Sequence, residues 1–421
     1  MREIRTSTAR TLLLYAQDTR GLGHINRTVT IARHLLAAHP DLVAYIATKS
    51  PITSNFTLPE RCDYIKLPTR LTPGTAPQTT DEIEAAKERF RKIRGQILKA
   101  AALALSPELV LVDHEPLGSA GEFRDGLYAL KAQSPSTRFV FGLRDIMDDA
   151  ARIIALWKEL GVYDALENLY DGIAVYGSRR LYDVAEAYAI PASVRCKLRY
   201  CGFVVRDLPS RNGQFVRQDH GLPAKGPLVF ATAGSGYDGY PVLEATVEAL
   251  ERLQRHIPDL LAIIVTGPFM PPEQQAALQA RATPTCRVVP QADSFQLMAA
   301  ADAIVSMGGY NSVCEALAVA RPLVIVPRAT HKIEQQIRAE TLAAHGLARS
   351  VHPSELSGES LADALVWALG CDRHAHGRLV HELIPSFDGA ARLTDYLSQW
   401  LAPPAGEAPV GEERELVFKK C

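Results

Sequence analysis

The sequence predicts an α/β protein with two doubly wound domains, each built on a parallel β-sheet. In both halves short apolar runs alternate with longer helical patterns, which is typical of βαβ units. A polar segment rich in Gly and Pro, residues 207–226, lies between the halves and predicts a linker. The chain has 421 residues. Since domains of about 100–200 residues are usual, two domains are expected.

Five apolar runs in the first half predict buried strands, because strands covered on both faces are nearly continuously apolar. They lie at residues 11–16, 43–47, 109–112, 138–142 and 172–176. Helical patterns lie between them at residues 27–38 and 81–105. On the second of these helices, Phe90, Ile93 and Ile97 share a face, and this face supports at most peripheral contact with a membrane.

The same alternation restarts after the linker, so the second half is expected to form another Rossmann-like domain. Its strands are predicted at residues 227–233, 260–266, 286–290, 302–307 and 322–327. The expected organisation is a first domain over residues 1–206, the linker over 207–226, a second domain over 227–389, a last helix over 390–402 and a flexible tail over 403–421.

Composition and charge exclude several classes of protein. The formal net charge is −1 and the Lys and Arg residues are dispersed, which excludes nucleic acid as the main partner. The seven cysteines lack the paired spacing of a disulfide framework or a zinc site. The apolar run near the N-terminus is too short for a signal sequence or a membrane span, so a cytoplasmic protein is expected.

The run RGLGHINR follows the first predicted strand and opens the first helix. Its glycines, Gly21 and Gly23, allow a sharp turn that leaves backbone amides at a helix N-terminus. Ligands of open α/β sheets lie outside the carboxyl ends of strands, so His24 there can act as a general base, with Arg27 beside it. The alternative is a plain tight turn in which His24 packs locally.

Two further loops follow strands in the second half. Gly234 and Ser235, in AGSGYDG, either contact a phosphate or merely turn the chain. The segment 306–342 is more specific, because its helix starts with backbone amides and small polar residues that suit a diphosphate. These diphosphate-binding candidates are Gly308, Gly309, Asn311 and Ser312. Glu315, one turn further along, suits the vicinal diol of a ribose because a carboxylate accepts two hydroxyls.

Polar residues after the next strand suit the hydroxyls of a sugar ring. They are His331, Glu334, Gln335 and Gln336. Each has an ordinary alternative, such as a charge in the first turn of a helix or a solvated helix face. The complete ordered pattern across residues 306–342 favours a binding site over these alternatives.

The acceptor side is expected on the first domain, where polar residues follow two strands. Asp113, His114 and Glu115 follow one strand, and Arg144 and Asp145 follow the next. They are either cleft residues or ordinary loop charges. Either Asp113 or Asp145 could orient the ring of His24.

Segment 306–342 resembles the C-terminal signature of family 28 glycosyltransferases, a group that includes a peptidoglycan N-acetylglucosaminyltransferase. RGLGHINR resembles the glycine-rich loop of the first domain in this family, and PQADSFQLMAAAD resembles its base-side loop. The resemblance implies the GT-B fold, in which two Rossmann-like domains face a cleft. It also implies that the last helix packs back on the first domain.

Position by position, the resemblance implies that His24 is the general base and that Gln335 and Gln336 hold hydroxyls of the donor sugar. The nucleobase would be read largely by backbone contacts at Phe295, Gln296 and Leu297. Arg338 stands where the family often has Asn, which leaves the sugar open.

The implied activity is inverting transfer of a sugar, with N-acetylglucosamine as the candidate, from a UDP-sugar to a small-molecule or carrier-bound acceptor. No DxD-like pair stands at a strand end, so neither a metal nor a cofactor is expected beyond the donor. The alternatives are a nucleotide-sugar hydrolase of the same fold that uses His24 on water, a non-hydrolysing UDP-sugar epimerase, and a non-catalytic nucleotide-sugar-binding protein.

Overall fold

The computed structural model describes residues 10–17, 23–50, 57–69, 80–209, 213–328 and 333–401. Within these residues the chain forms two parallel sheets. The first contains β1 (Arg10–Ala16), β2 (Leu42–Thr48), β3 (Cys62–Lys66), β4 (Leu109–Asp113), β5 (Arg138–Arg144), β6 (Gly172–Tyr176) and β7 (Leu198–Tyr200). The second contains β8 (Leu228–Thr232), β9 (Leu261–Val265), β10 (Cys286–Val289), β11 (Ala303–Ser306), β12 (Leu323–Ile325) and β13 (Ala348–Ser350).

Helices cover the two faces of each sheet. Those of the first half are α1 (Gly23–Ala38), α2 (Thr80–Leu105), α3 (Arg124–Gln133), α4 (Ala150–Glu159), α5 (Val162–Asn168), α6 (Val184–Ala187) and α7 (Ala192–Arg195). Those of the second half are α8 (Gly213–Asp219), α9 (Tyr240–Leu253), α10 (Pro272–Ala280), α11 (Ser294–Ala300), α12 (Tyr310–Ala318), α13 (Glu334–Ala344), α14 (Gly358–Leu369), α15 (Arg373–Leu383) and α16 (Gly389–Leu401).

Both sheets are doubly wound, as the sequence predicts. In the described residues the strand orders are β3-β2-β1-β4-β5-β6-β7 and β10-β9-β8-β11-β12-β13. The order reverses between β1 and β4 in the first sheet and between β8 and β11 in the second. Ligands of such sheets bind outside the carboxyl ends of strands at these points. The predicted fold class is therefore confirmed.

The central strands are apolar and buried on both faces, which explains why they could be recognised in the sequence. Leu12, Leu13 and Leu14 of β1 are fully buried, and every residue of β9 is buried. Three strands were not predicted: β3, β7 and β13. Each lies at the edge of its sheet, where one side lacks a neighbouring strand and polar or half-exposed residues are tolerated.

The polar segment 207–226 differs from the plain linker that its composition predicts. Helix α8 forms inside it and packs against α11, with Val216 buried. An added Cβ on Gly213 would lie 3.5 Å from Ala300, so the two helices are in close contact. This part of the segment therefore belongs to the surface of the second domain.

The last helix, α16, returns to the first domain and packs against α1. Leu393, Leu397 and Leu401 are fully buried, and Ser398 Oγ lies 2.8 Å from His39 Nε2. The predicted tail, residues 403–421, lies outside the described residues. Among the helices that the structure describes, not one combines the length and the apolar character needed to cross a membrane.

Candidate active site

The glycine-rich loop of the first domain brings His24 to the carboxyl end of the first sheet. Gly21 lies outside the described residues, and α1 begins at Gly23, so His24 and Arg27 stand in its first turns. β1 pairs directly with β4, whose last residue is Asp113. The strand order therefore places Asp113 beside this loop.

His24 and Asp113 form a close pair. His24 Nδ1 lies 2.6 Å from Asp113 Oδ2, and the carboxylate is almost completely buried. Arg27, also buried, donates from Nε to Oδ1 at 3.0 Å and from Nη2 to Oδ2 at 2.7 Å. Arg27 Nη2 also lies 2.9 Å from His24 Nδ1. We assign the Nδ1 proton to the bond with the carboxylate, so the approach of Arg27 is a contact between two donors.

The charges of this cluster keep the carboxylate ionised. Burial alone would raise the pKa of Asp113, but the Arg27 guanidinium and the bond to His24 hold it below its usual value. Burial also acts to lower the pKa of Arg27, and Asp113 outweighs this effect, so that pKa is raised. An ionised Asp113 can hold the imidazole in one orientation and stabilise its protonated form.

His114 and Glu115 complete the turn after β4. The Glu115 amide donates to the Asp113 carbonyl at 2.9 Å, which closes a three-residue turn around His114 with φ +69°. This left-handed conformation is strained for a non-glycine residue. It places the centre of the His114 ring 4.8 Å from that of His24, with the two rings tilted by 42°. Glu115 Oε1 accepts a bond from Gln17 at 2.7 Å.

In the second domain the glycine pair after β11 lets α12 start against the cleft. Gly308 has φ +78°, and a Cβ there would lie 2.8 Å from Ile325, so this turn requires glycine. Gly309 is the N-cap of α12, and among the described residues no side chain caps this end. Asn311 Nδ2 donates to the Gly23 carbonyl at 3.2 Å, and Ser312 is half-buried. The start of α12 therefore contacts the glycine-rich loop of the first domain.

The AGSGYDG loop lies beside this helix start because β8 and β11 are neighbours. Gly234 is exposed with φ +64°, and Ser235 is half-buried. Asp238 of the same loop accepts a bond from Arg328 at 2.8 Å. This bond connects the loop to Arg328, which follows β12.

The expected ribose and nucleobase groups also lie together. Glu315 is buried, and its Oε1 accepts a bond from Arg206 Nε at 2.7 Å. Burial raises the pKa of Glu315, and Arg206 only partly opposes this. The side chains of Phe295 and Leu297 are buried in the core, so only backbone atoms of these two residues can meet a ligand. Gln296 Oε1 is buried without a hydrogen-bond partner among the described residues.

The predicted sugar-binding residues separate into two groups. Gln335 Oε1 accepts a bond from the Arg328 amide at 2.9 Å, and Gln335 Cβ would lie 3.7 Å from a Cβ on Gly308, so this residue adjoins the diphosphate candidates. Gln336 bonds Glu340 at 2.9 Å along the same helix, and its assignment to the sugar stays a prediction. His331 lies outside the described residues.

Arg144 and Asp145, which were predicted on the acceptor side, form ion pairs with residues of the second domain. Both project from the end of β5 into the second domain, where Arg144 pairs with Glu334 and Asp145 Oδ1 accepts a bond from Arg338 at 3.0 Å. The two pairs are largely buried, and Arg338 also donates to the Gly308 carbonyl at 2.9 Å. Arg338, which replaces the Asn of the family pattern, thus joins the domains. This contact needs two residues 193 positions apart, so the sequence carried no signal for it.

A cavity of about 310 Å³ opens next to His114 and was not predicted. Its polar residues include Glu115, Asp148 and Arg152, and its apolar ones come mainly from α4 and the loop before it: Met147, Ile153, Leu156 and Trp157. Asp148 Oδ1 also accepts a bond from the Ile333 amide at 2.9 Å, which places the rim of the cavity against the second domain. The apolar pattern of α4 was the available signal, but it also fits an ordinary core helix.

The comparisons with known proteins agree with this architecture. Residues 229–369 match the glycosyltransferase family 28 C-terminal domain. An uncharacterised glycosyltransferase of Methanopyrus kandleri is 25% identical over 204 residues, which cover 45% of this chain and 55% of the relative. The alignment thus spans about half the length of that relative.

Solved structures of glycosyltransferases share the fold over nearly the whole chain. A UDP-glucosyltransferase from Polygonum tinctorium is 15% identical with a TM-score of 0.67, covering 94% of this chain and 100% of its own. The calicheamicin glycosyltransferase CalG4 is 17% identical, with a TM-score of 0.64 and coverages of 94% and 99%. MurG of Acinetobacter baumannii is 14% identical, with a TM-score of 0.58 and coverages of 93% and 99%. The chain therefore has the GT-B fold of these glycosyltransferases, and residues 229–369 match the family 28 C-terminal domain.

Proposed function

We propose that this protein is an inverting glycosyltransferase that moves a sugar from a UDP-sugar to a hydroxyl of an acceptor. The observation that carries the proposal is the meeting of the two loops across the cleft. His24, held by Asp113, lies next to the Gly23 carbonyl that bonds Asn311 at the start of α12. A base and a helix N-terminus suited to a diphosphate thus face one another.

In this reaction His24 Nε2 takes the proton of the acceptor hydroxyl. The hydroxyl oxygen forms a bond to the anomeric carbon as the bond from that carbon to the diphosphate oxygen breaks. UDP leaves with the electron pair, and the configuration at the anomeric carbon inverts. Asp113 stabilises the imidazolium, and the amides at the start of α12 stabilise the charge on the diphosphate.

Glu315 is proposed to bind the ribose, with the nucleobase at the start of α11. Glu315→Ala is expected to weaken UDP binding by about 1.5–3 kcal/mol, or roughly 10–150-fold, because hydrogen bonds to a charged group are lost. Titration calorimetry with UDP measures the change. Glu340→Ala, which removes an exposed carboxylate on α13, is the control. An unchanged affinity in the Glu315 variant would contradict the ribose assignment.

The cavity beside His114 is proposed to hold an acceptor with an apolar body and a hydroxyl that reaches His24. A small molecule fits its volume of about 310 Å³. The Polygonum tinctorium structure is of an enzyme described as glucosylating indoxyl, which is a small aromatic acceptor. N-acetylglucosamine remains the candidate for the transferred sugar.

Leu156→Glu tests the acceptor cavity, because Leu156 is 42% exposed and its replacement does not disturb the core. With a hydroxylated aromatic probe such as 2-naphthol, KM for the probe is expected to rise at least about tenfold as an apolar contact is lost to a charge. UDP affinity is expected to stay the same. Val366→Glu, at an exposed position of α14, is the control. Equal KM values in both variants would place the acceptor elsewhere.

The second candidate function is hydrolysis, since the pair of His24 and Asp113 could equally activate a water. Incubation of the pure protein with UDP-sugars, with and without a hydroxyl acceptor, separates the candidates. Release of UDP that depends on acceptor supports transfer, and fast release without acceptor supports a hydrolase. Binding of UDP-sugar with no release under either condition supports a binding protein without turnover.

A further inference from the structure

Arg206 extends from the connection between the two domains, and its backbone is held firmly. Phe203, Val204 and Val205 are buried just before it. The Gly389 amide donates to the Phe203 carbonyl at 3.0 Å, and Val204 forms a β-bridge with Asp388, so the two crossing segments lie side by side. The two segments that cross between the domains therefore fix the backbone position from which the Arg206 side chain extends.

The Arg206 guanidinium reaches the nucleotide side of the second domain. Nε donates to Glu315 Oε1 at 2.7 Å, and Nη2 lies 3.3 Å from Asp293 Oδ1. Asp293 is the N-cap of α11, and the guanidinium carbon lies 5.5 Å from the centre of the Phe295 ring. One side chain thus contacts the proposed ribose carboxylate and the loop proposed for the nucleobase.

The contact with Arg206 uses one oxygen of Glu315 and leaves the other, Oε2, for a ligand. An ionised carboxylate accepts from two hydroxyls more strongly than a protonated one, which must also donate one bond itself. Glu315 is buried, which favours the protonated form, and the charged groups that face it are Arg206 from the connection and Asp293 from α11. Arg206 is the cation of this set, so it opposes the effect of burial.

We propose that Arg206 is a positioning residue for the donor: it holds Glu315 with Oε2 directed to the ribose diol and keeps the carboxylate ready to accept both hydroxyls. The inference rests on the proposed binding of UDP by this domain. Because Arg206 belongs to the segment that connects the two domains, it also couples the position of the Glu315 carboxylate to the position of that segment.

The test compares UDP with 2′-deoxy-UDP, which lacks one hydroxyl of the diol, by titration calorimetry on the full chain between pH 6 and pH 8. Arg206→Ala is expected to weaken UDP binding about tenfold or more and to weaken 2′-deoxy-UDP binding much less. Without its cation Glu315 binds a proton more readily, so the loss of UDP affinity should grow as the pH falls from 8 to 6. Arg206→Lys should restore much of the affinity.

Two further variants keep the result interpretable. In a Glu315→Gln background, Arg206→Ala should cause little additional loss, because Arg206 acts through Glu315. Arg180→Ala removes an exposed arginine that contacts the Glu382 carbonyl, and it should behave as wild type. Equal losses for UDP and 2′-deoxy-UDP, or unchanged binding in Arg206→Ala, would overturn the inference. Failure of the wild type to bind UDP would instead refute the proposed donor.

Discussion

Turnover of sugar transfer is expected to fall by about 10²–10⁴-fold when His24 is replaced by alanine, the range for loss of a positioned general base. The affinity for UDP should change little, because the proposed nucleotide groups belong to the second domain. The reason lies in the pair with Asp113: the contact of 2.6 Å between Asp113 Oδ2 and His24 Nδ1 makes Nε2 the nitrogen that we propose as the base. Initial rates at saturating donor, with calorimetry for UDP, measure the two effects separately.

His352→Ala is the matched control, since His352 is exposed and lies in a loop of the second domain. It should retain wild-type turnover. If His24→Ala also retained it with an acceptor that the wild type uses, the base would lie elsewhere. His114, 4.8 Å from His24 between ring centres, and Glu115 would then be the next candidates.

The free energy of unfolding is expected to fall by about 3–5 kcal/mol in Asp145→Ala, because the variant leaves the Arg338 guanidinium buried without its counter-charge. Both side chains are less than one-tenth exposed, at 3% for Arg338 and 9% for Asp145. The Gly308 and Ile146 carbonyls, which carry no net charge, then remain as acceptors for Arg338. The midpoint of urea unfolding of the full chain, compared with wild type, measures the loss.

The double variant Asp145→Ala with Arg338→Met should recover much of this stability, because an apolar side chain then replaces the unpaired charge. Arg138→Ala breaks a pair with Asp171 in which Arg138 is 45% exposed, and it should cost at most about 1 kcal/mol. An Asp145→Ala protein as stable as the Arg138→Ala control would mean that Asp145 and Arg338 are not paired in solution.

Most of the fold could be predicted because the relevant signals are local. A central strand such as β9 is apolar along its whole length, and a helix start needs only a few residues of sequence. The strands β3, β7 and β13 escaped prediction because a sheet edge places weaker demands on each residue. Helix α8, inside the polar segment 207–226, was not predicted for a related reason, since Val216 is the one residue of this helix that is buried.

The sequence by itself determined the two doubly wound domains, the helix start at Gly308–Gly309 and the position of His24 after a strand. Only the tertiary structure decided which carboxylate orients His24. Asp113 ends β4 and Asp145 follows β5 of the same sheet, but β4 pairs with β1 whereas β5 lies one strand further away. Asp113 therefore meets His24, and Asp145 meets Arg338 of the other domain. The contact between Arg206 and Glu315 could not be predicted from the sequence either, because the two residues are 109 positions apart. Contacts between distant residues depend on strand order and domain packing, and a local sequence pattern contains neither.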